Sequence, residues 1–114
     1  MVSEFWRDLE SDLTNPEFAR EFAAESIRIA TIDTLVNQLD EARETAGLSK
    51  AALARAIGVD PAVIRRLLSA PSVNPTLGML AEVAAALGFR VRLEPMDAED
   101  RAKITEPMLR AAVA

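Results

Sequence analysis

Apolar side chains recur at helical spacing along much of this chain. Phe5, Leu9 and Leu13 fall four residues apart, which predicts a short amphipathic helix over residues 4–13. Residues 17–46 contain neither glycine nor proline, and an apolar stripe through them predicts either one long helix or two helices joined near the middle. The stripe consists of Phe18, Phe22, Ile29, Ile32, Val36 and Leu39.

Three shorter helices are predicted after this region, from the residues that cap and end helices. A capping side chain followed at once by proline marks a helix start at Asn15, Asp60 and Asn74. Ser49 is a further candidate cap, and Gly58 is a candidate helix stop. The three short helices are predicted over about residues 50–57, 61–69 and 76–87.

Residues 89–94 alternate apolar and charged side chains, which is the period of a half-buried β-strand. A single strand leaves its backbone N–H and C=O groups unpaired, so it needs a partner, and a second copy of the chain is the obvious source. Phe89, Val91 and Leu93 are therefore candidate dimer contacts. The tail from residue 95 is charged and carries a weak helical pattern around Met108.

Composition favours a helical domain and restricts the chemistry. Half of the 114 residues are hydrophobic but only 4% are aromatic, and alanine and leucine, the best helix formers, are abundant. Without cysteine or histidine, the chain has no disulfide, thiol nucleophile, histidine base or ordinary zinc site. We therefore expect no enzyme, metal or cofactor. With no membrane-length apolar run and no signal-peptide pattern, a cytoplasmic protein that binds neither membrane nor small-molecule substrate is expected.

The charge is distributed unevenly along the chain. Taken alone, the net charge of −5 disfavours binding to nucleic acid. However, residues 1–44 carry a net −7 and residues 93–114 a net −2, whereas residues 45–92 carry six basic and two acidic side chains, a net +4. The total therefore averages a basic middle with two acidic ends, and this asymmetry is more informative than the sum.

Residues 50–69 predict two short helices joined by a tight turn. The first helix must carry a small side chain where the second helix crosses it, and Ala54 supplies one. The turn needs a residue that accepts positive φ, and Gly58 supplies it. These are the requirements of a helix-turn-helix. Its predicted core consists of Leu53, Ala54, Ile57, Gly58, Val59, Ile64 and Leu67.

These residues resemble the Xre and Cro/cI-type helix-turn-helix family over about residues 34–94. Alanine stands four residues before the turn glycine and isoleucine six after it, and the flanking segments 47–49, 74–77 and 85–88 are also similar to the family. The resemblance implies an all-α, lambda-repressor-like fold of five to six helices, with an N-terminal helical extension and one short C-terminal strand for dimer pairing. The predicted divisions are 1–33 (acidic extension), 34–94 (DNA-binding domain with the strand) and 95–114 (tail).

The family resemblance also implies which residues meet DNA. The second motif helix enters the major groove in such proteins, and the first motif helix contacts phosphates. Arg65 and Arg66 are the best candidates for contacts with guanine or phosphate. Pro61 and Ala62 depart from the polar residues common there, which limits direct base reading, although Ala62 suits a thymine methyl group. The predicted DNA-binding set is Ser49, Lys50, Arg55, Asp60, Pro61, Ala62, Val63, Arg65, Arg66 and Ser69.

The acidic extension, the short length and the terminal strand resemble HigA-type antitoxins, including addiction-module antidote proteins. That resemblance implies a basic toxin as a partner, which the acidic side chains of residues 1–44 would complement; the alternative is that they only keep the chain soluble. The apolar residues of the extension either pack internally or meet a partner. The predicted toxin or dimer interface is Phe5, Trp6, Leu9, Phe18, Phe22, Phe89, Val91 and Leu93.

Three functions are consistent with these features. The favoured one is a dimeric, sequence-specific DNA-binding repressor of operator DNA that is also the antitoxin of a type II toxin–antitoxin pair. The second is a stand-alone Xre-like regulator, in which the N-terminal helices only enlarge the dimer core. The third is a protein-interaction module that has lost DNA binding, which the acidic total charge and the unusual start of the second motif helix keep open.

Overall fold

A computed structural model describes residues 15–69 and 74–113, and this part of the chain is helical. The predicted helix over residues 4–13, with Phe5, Trp6 and Leu9, lies outside the described residues. None of the described helices is long and apolar enough to cross a membrane. The elements are α1 (Pro16–Thr45), α2 (Lys50–Ile57), α3 (Pro61–Ser69), α4 (Leu77–Ala86), the short α5 (Ala98–Asp100), a π-helical segment (Arg101–Thr105) and α6 (Glu106–Val113).

Helix α1 is one continuous helix, which decides between the two alternatives that its apolar stripe left open. It begins as predicted: the Asn15 side-chain oxygen accepts a hydrogen bond of 3.0 Å from the Glu17 backbone N–H, and Pro16 occupies the first helical position. This arrangement satisfies an N–H group that has no partner within the helix, and proline has no N–H to satisfy.

Thr31–Leu93 form one compact unit with a core of its own. Leu53 and Ala54 of α2, Ile64 of α3 and Val83 of α4 are almost completely shielded from solvent. They form one cluster in which α2 packs against both α3 and α4. The buried members of the cluster are Leu39, Leu53, Ala54, Ile64, Leu67, Leu80, Val83 and Ala84.

The start of α4 differs from the prediction. Thr76, not Asn74, is the capping residue: its hydroxyl oxygen accepts a hydrogen bond of 3.1 Å from the Met79 N–H, and the helix begins at Leu77. Both residue types are good caps, and the threonine lies two positions nearer the first free N–H groups. Pro75 therefore precedes the cap instead of occupying the first helical position.

The predicted strand over residues 89–94 is wrong for the single chain. Residues 89–97 lie in neither helix nor strand, and no strand occurs anywhere in residues 15–69 and 74–113. A strand is defined by its hydrogen-bonded neighbour, and the described helices leave no unpaired sheet edge for this segment to join. Phe89, Val91 and Leu93 remain exposed, at 60%, 39% and 97%.

The described residues of Met1–Ala30 and Glu94–Ala114 form a second compact unit. In this part of α1, Ala19 and Ala23 are buried, whereas Phe22 and Ile29 are 48% and 51% exposed. Of the two alternatives left open for these residues, internal packing is therefore not observed for Phe22 and Ile29, because the two alanines, four residues apart, take the buried face. The weak pattern near Met108 does form a helix, α6.

Candidate nucleic-acid interface

The turn between α2 and α3 is built around one glycine. Gly58 has φ +72° and ψ +34°, in the left-handed region, where a Cβ atom is strained. With this conformation, the Val59 N–H donates a hydrogen bond of 3.0 Å to the Ala54 carbonyl, and the Gly58 N–H also donates to carbonyls of the last turn of α2. This is the usual way to close a helix with a left-handed residue, and it turns the chain sharply toward α3.

The start of α2 is held from two sides. The Ser49 Oγ accepts a hydrogen bond of 3.0 Å from the Ala52 N–H, which caps the helix. Arg43, near the end of α1, donates a hydrogen bond of 2.8 Å to the Leu48 carbonyl and pairs with Asp40 at 2.9 Å. Sequence reasoning missed Arg43; the only signal was its three-residue spacing from Asp40, which is common on helices and points to no particular role.

Helix α3 has one buried side and one open side. Ile64 and Leu67, three residues apart, are buried in the core. Arg65, Arg66 and Ser69 are exposed and lie on the other side of the helix. The first residues of α3 are half-buried, namely Pro61, Ala62 and Val63.

The cap of α3 also limits the negative charge beside these arginines. The Asp60 carboxylate accepts a hydrogen bond of 2.8 Å from the Ala62 N–H. Asp60 is the only acidic residue in 50–69. Its charge lies at the N-terminus of α3, where the helix dipole favours an anion.

Lys50 and Ser69 connect the two ends of the motif. The Lys50 Nζ donates a hydrogen bond of 3.4 Å to the Ser69 Oγ, although the two residues are 19 positions apart. Both were predicted DNA contacts, and the structure brings them together at the start of α2 and the end of α3. Arg55 is also exposed, on α2.

The basic side chains of the motif are not neutralised by acids in the part of the chain that the structure describes. None of Arg55, Arg65 and Arg66 forms an ion pair with a described carboxylate. Exposed guanidinium groups without such partners are available to bind an anion, and a phosphate or a guanine edge accepts two of their hydrogen bonds at once.

A helix-turn-helix family matches residues 39–93, which run from the last turns of α1 to the stretch that follows α4. This part of the chain is similar to that family, and α2, the turn at Gly58 and α3 have the arrangement of a helix-turn-helix. The match spans just under half of the 114 residues and supports the resemblance to Xre and Cro/cI-type proteins. Neither the curated proteins nor the solved structures compared with the chain gave a match. A helix-turn-helix domain indicates a DNA-binding transcriptional regulator.

Proposed function

We propose that the protein is a sequence-specific repressor that binds operator DNA with α3 in the major groove, without catalytic or cofactor chemistry. The observation that carries this proposal is the open side of α3, where Arg65 and Arg66 are exposed on a helix whose opposite side is locked into the core. A guanidinium group there can pair with the O6 and N7 atoms of guanine, and Ala62 can contact a thymine methyl group.

Helix α2 supports this mode of binding through the phosphate backbone. The Ser49 Oγ accepts the Ala52 N–H, so its own hydroxyl hydrogen is left to donate to a phosphate oxygen. Lys50 and Arg55 carry positive charge on the same helix. Contacts of this kind set the register of a protein on the duplex, while the contacts from α3 discriminate between bases.

The DNA-binding proposal is tested with a duplex taken from upstream of the protein's own gene. We expect tight binding at low salt and a steep loss of affinity at higher salt, because each phosphate contact releases counterions. Arg66→Ala should weaken binding by about 1–3 kcal/mol if Arg66 reads a base. Arg20→Ala, which removes an arginine paired with Glu21 on α1, is the control and should change little.

Two results would contradict the DNA-binding proposal. Absence of binding at low salt would favour the interaction module that has lost DNA binding. Equal affinity for the upstream duplex and for an unrelated duplex would remove the claim of sequence specificity, because non-specific binding depends only on the phosphate backbone.

We propose that the repressor is a two-fold dimer joined through residues 89–94. In such a dimer the two copies of α3 are about 34–36 Å apart, one helical turn of DNA. Phe89, Val91 and Leu93 are exposed, and pairing two copies of this segment would supply the hydrogen-bonding neighbour that a single chain lacks. Val91→Pro removes an N–H group from the pairing and should give a monomer by light scattering. A Val91→Pro protein that stays dimeric would contradict this mode of association.

We also propose that the acidic N-terminal region neutralises a basic toxin. The support is the net −7 of residues 1–44, together with the exposure of Phe22 and Ile29 on α1. Exposed apolar side chains in a region of net negative charge are suited to a partner of opposite charge. The stand-alone regulator is the alternative.

The toxin proposal is tested on the product of the open reading frame adjacent to the gene. That product should arrest growth when expressed alone, and co-expression of this chain should restore growth. A double Phe22→Ser and Ile29→Ser variant should fail to restore growth while still binding DNA. A harmless neighbouring product, or full rescue by the double variant, would contradict the proposal.

A further inference from the structure

Arg90 and Arg92 lie outside the helix-turn-helix motif, and the proposed dimer pairing gives a role to their apolar neighbours Phe89, Val91 and Leu93 but none to the two arginine side chains. We propose that these two arginines bind the phosphate backbone of duplex DNA and extend the protein's contact with DNA beyond α2 and α3. This inference rests on the DNA-binding function proposed above. Both residues fall within the matched segment 39–93, in the stretch that follows α4.

The segment that carries the two arginines is attached to the same core as α3. The Phe89 N–H donates a short hydrogen bond of 2.7 Å to the carbonyl of Ala84, in the last turn of α4. The Ala84 side chain is buried, and it belongs to the cluster that also holds Ile64 of α3. The backbone at Phe89, one residue before Arg90, is therefore attached to the cluster that also holds α3.

The charges of Arg90 and Arg92 are open to an anion. Both residues are exposed, and neither forms an ion pair with a described carboxylate, Glu94 included. They supply two of the six basic side chains in residues 45–92, whose net charge is +4. Without them the net charge of this stretch would fall by half, so a large share of its attraction for DNA depends on them.

The spacing of the two arginines suits adjacent phosphates. Two residues of chain span at most about 7 Å between their Cα atoms. One strand of B-DNA presents a phosphate about every 3.4 Å along the helix axis, so each guanidinium can take a phosphate of its own. Nothing in this arrangement selects a base, and the contacts are expected to be independent of sequence.

The test is the salt dependence of binding to random-sequence duplex DNA by the full-length chain. Each phosphate contact contributes about 0.9 to the slope of log affinity against log salt concentration. A double Arg90→Gln and Arg92→Gln variant should therefore lower the slope by about 1.8. Between about 50 and 200 mM salt, the wild-type protein should lose about 12-fold more affinity than the variant. The operator duplex should show the same difference.

The control is a double Arg101→Gln and Arg110→Gln variant, which makes the same change of charge outside the matched segment and should keep the wild-type slope. The inference would be overturned by an unchanged slope in the Arg90 and Arg92 variant, as expected if these arginines bind an acidic protein surface instead. It would also be overturned by a loss confined to the operator. Absence of DNA binding by the wild-type chain would instead contradict the function on which the inference rests.

Discussion

Helix α1 and the helix-turn-helix motif use arginine in opposite ways. In α1, Arg20, Arg28 and Arg43 each pair with a carboxylate of the same helix. In the motif, Arg65 and Arg66 are exposed and have no described carboxylate as a partner. One region neutralises its positive charge within the chain, and the other leaves it available for an external anion.

This difference explains why the net charge of −5 is a poor guide to function. Electrostatic attraction is screened over about 8–10 Å at physiological salt, so DNA at the motif responds to the charges beside it rather than to the sum over the chain. Under the toxin proposal, the acidic excess in residues 1–44 serves a partner other than DNA.

The two regions also differ in packing, and a matched pair of substitutions should expose that difference. Ile64 in α3 is fully buried, whereas Ile29 in α1 is 51% exposed. Ile64→Ala leaves a cavity and should lower the free energy of unfolding by about 2–5 kcal/mol. Ile29→Ala should cost less than about 1 kcal/mol, because half of its side chain already contacts water. Urea denaturation measures both, and equal losses would contradict the distinction between the regions.

The turn of the motif should be the next most sensitive point. Gly58→Ala places a Cβ atom on a residue with φ +72° and should cost about 1–2 kcal/mol, although no atom lies within 4 Å of that position. Gly78→Ala is the control, since Gly78 lies in α4 without positive φ and has room for a methyl group. It should be neutral or stabilising by up to about 1 kcal/mol. Thermal unfolding that ranks the two variants in the reverse order would disprove the strain argument.

Two substitutions of Asp60, whose carboxylate caps α3, separate its effect on stability from the effect of its charge on DNA binding. Asp60→Ala removes the hydrogen bond to the Ala62 N–H and should cost about 1 kcal/mol of stability. Asp60→Asn keeps a good cap, so stability should hardly change, and DNA affinity should rise because the only acidic residue in 50–69 is gone. Denaturation and DNA titration of both variants check this, and reduced DNA affinity in Asp60→Asn would show that the carboxylate itself is required.

The smallest expected effect concerns an ion pair of α1. Arg28 lowers the pKa of Glu25 below its ordinary value, first through a side-chain hydrogen bond and second through its charge. A lowered pKa in the folded state adds stability above the ordinary glutamate pKa, and this contribution disappears as the pH falls through the lowered value. NMR titration should show the pKa of Glu25 rising in Arg28→Gln, with little change in stability because the pair is exposed. An unchanged Glu25 pKa in this variant would contradict the claim that Arg28 is neutralised by a carboxylate of its own helix.

Much of the helical fold could be predicted because helix ends depend on a few neighbouring residues. Asn15 and Asp60, each followed by proline, mark the true starts of α1 and α3. The same signal failed at Asn74 because a second capping residue, Thr76, stands nearer the helix. The alternating pattern of residues 89–94 was not enough to predict a strand, because a strand forms only where another strand pairs with it.

The candidate site was predictable in part for a similar reason. The distance along the chain from Gly58 determines which residues fall in α3, and helical periodicity then separates Arg65 and Arg66 from the buried Ile64. The hydrogen bond between Lys50 and Ser69 could not be predicted, because it depends on how two helices cross. Periodicity identifies an apolar stripe but not what covers it, so the exposure of Phe22 could be predicted only as one of two alternatives.

The central claim is that DNA binds the exposed basic side chains of the helix-turn-helix motif and of residues 89–94, and not residues 16–30 of α1. Mapping backbone amide shifts by NMR, as the labelled chain is titrated with the upstream duplex, tests this most directly. We predict the largest changes in residues 49–69 and near Arg90 and Arg92, with little change in residues 16–30. Changes confined to residues 16–30, with residues 49–69 unaffected, would contradict the account.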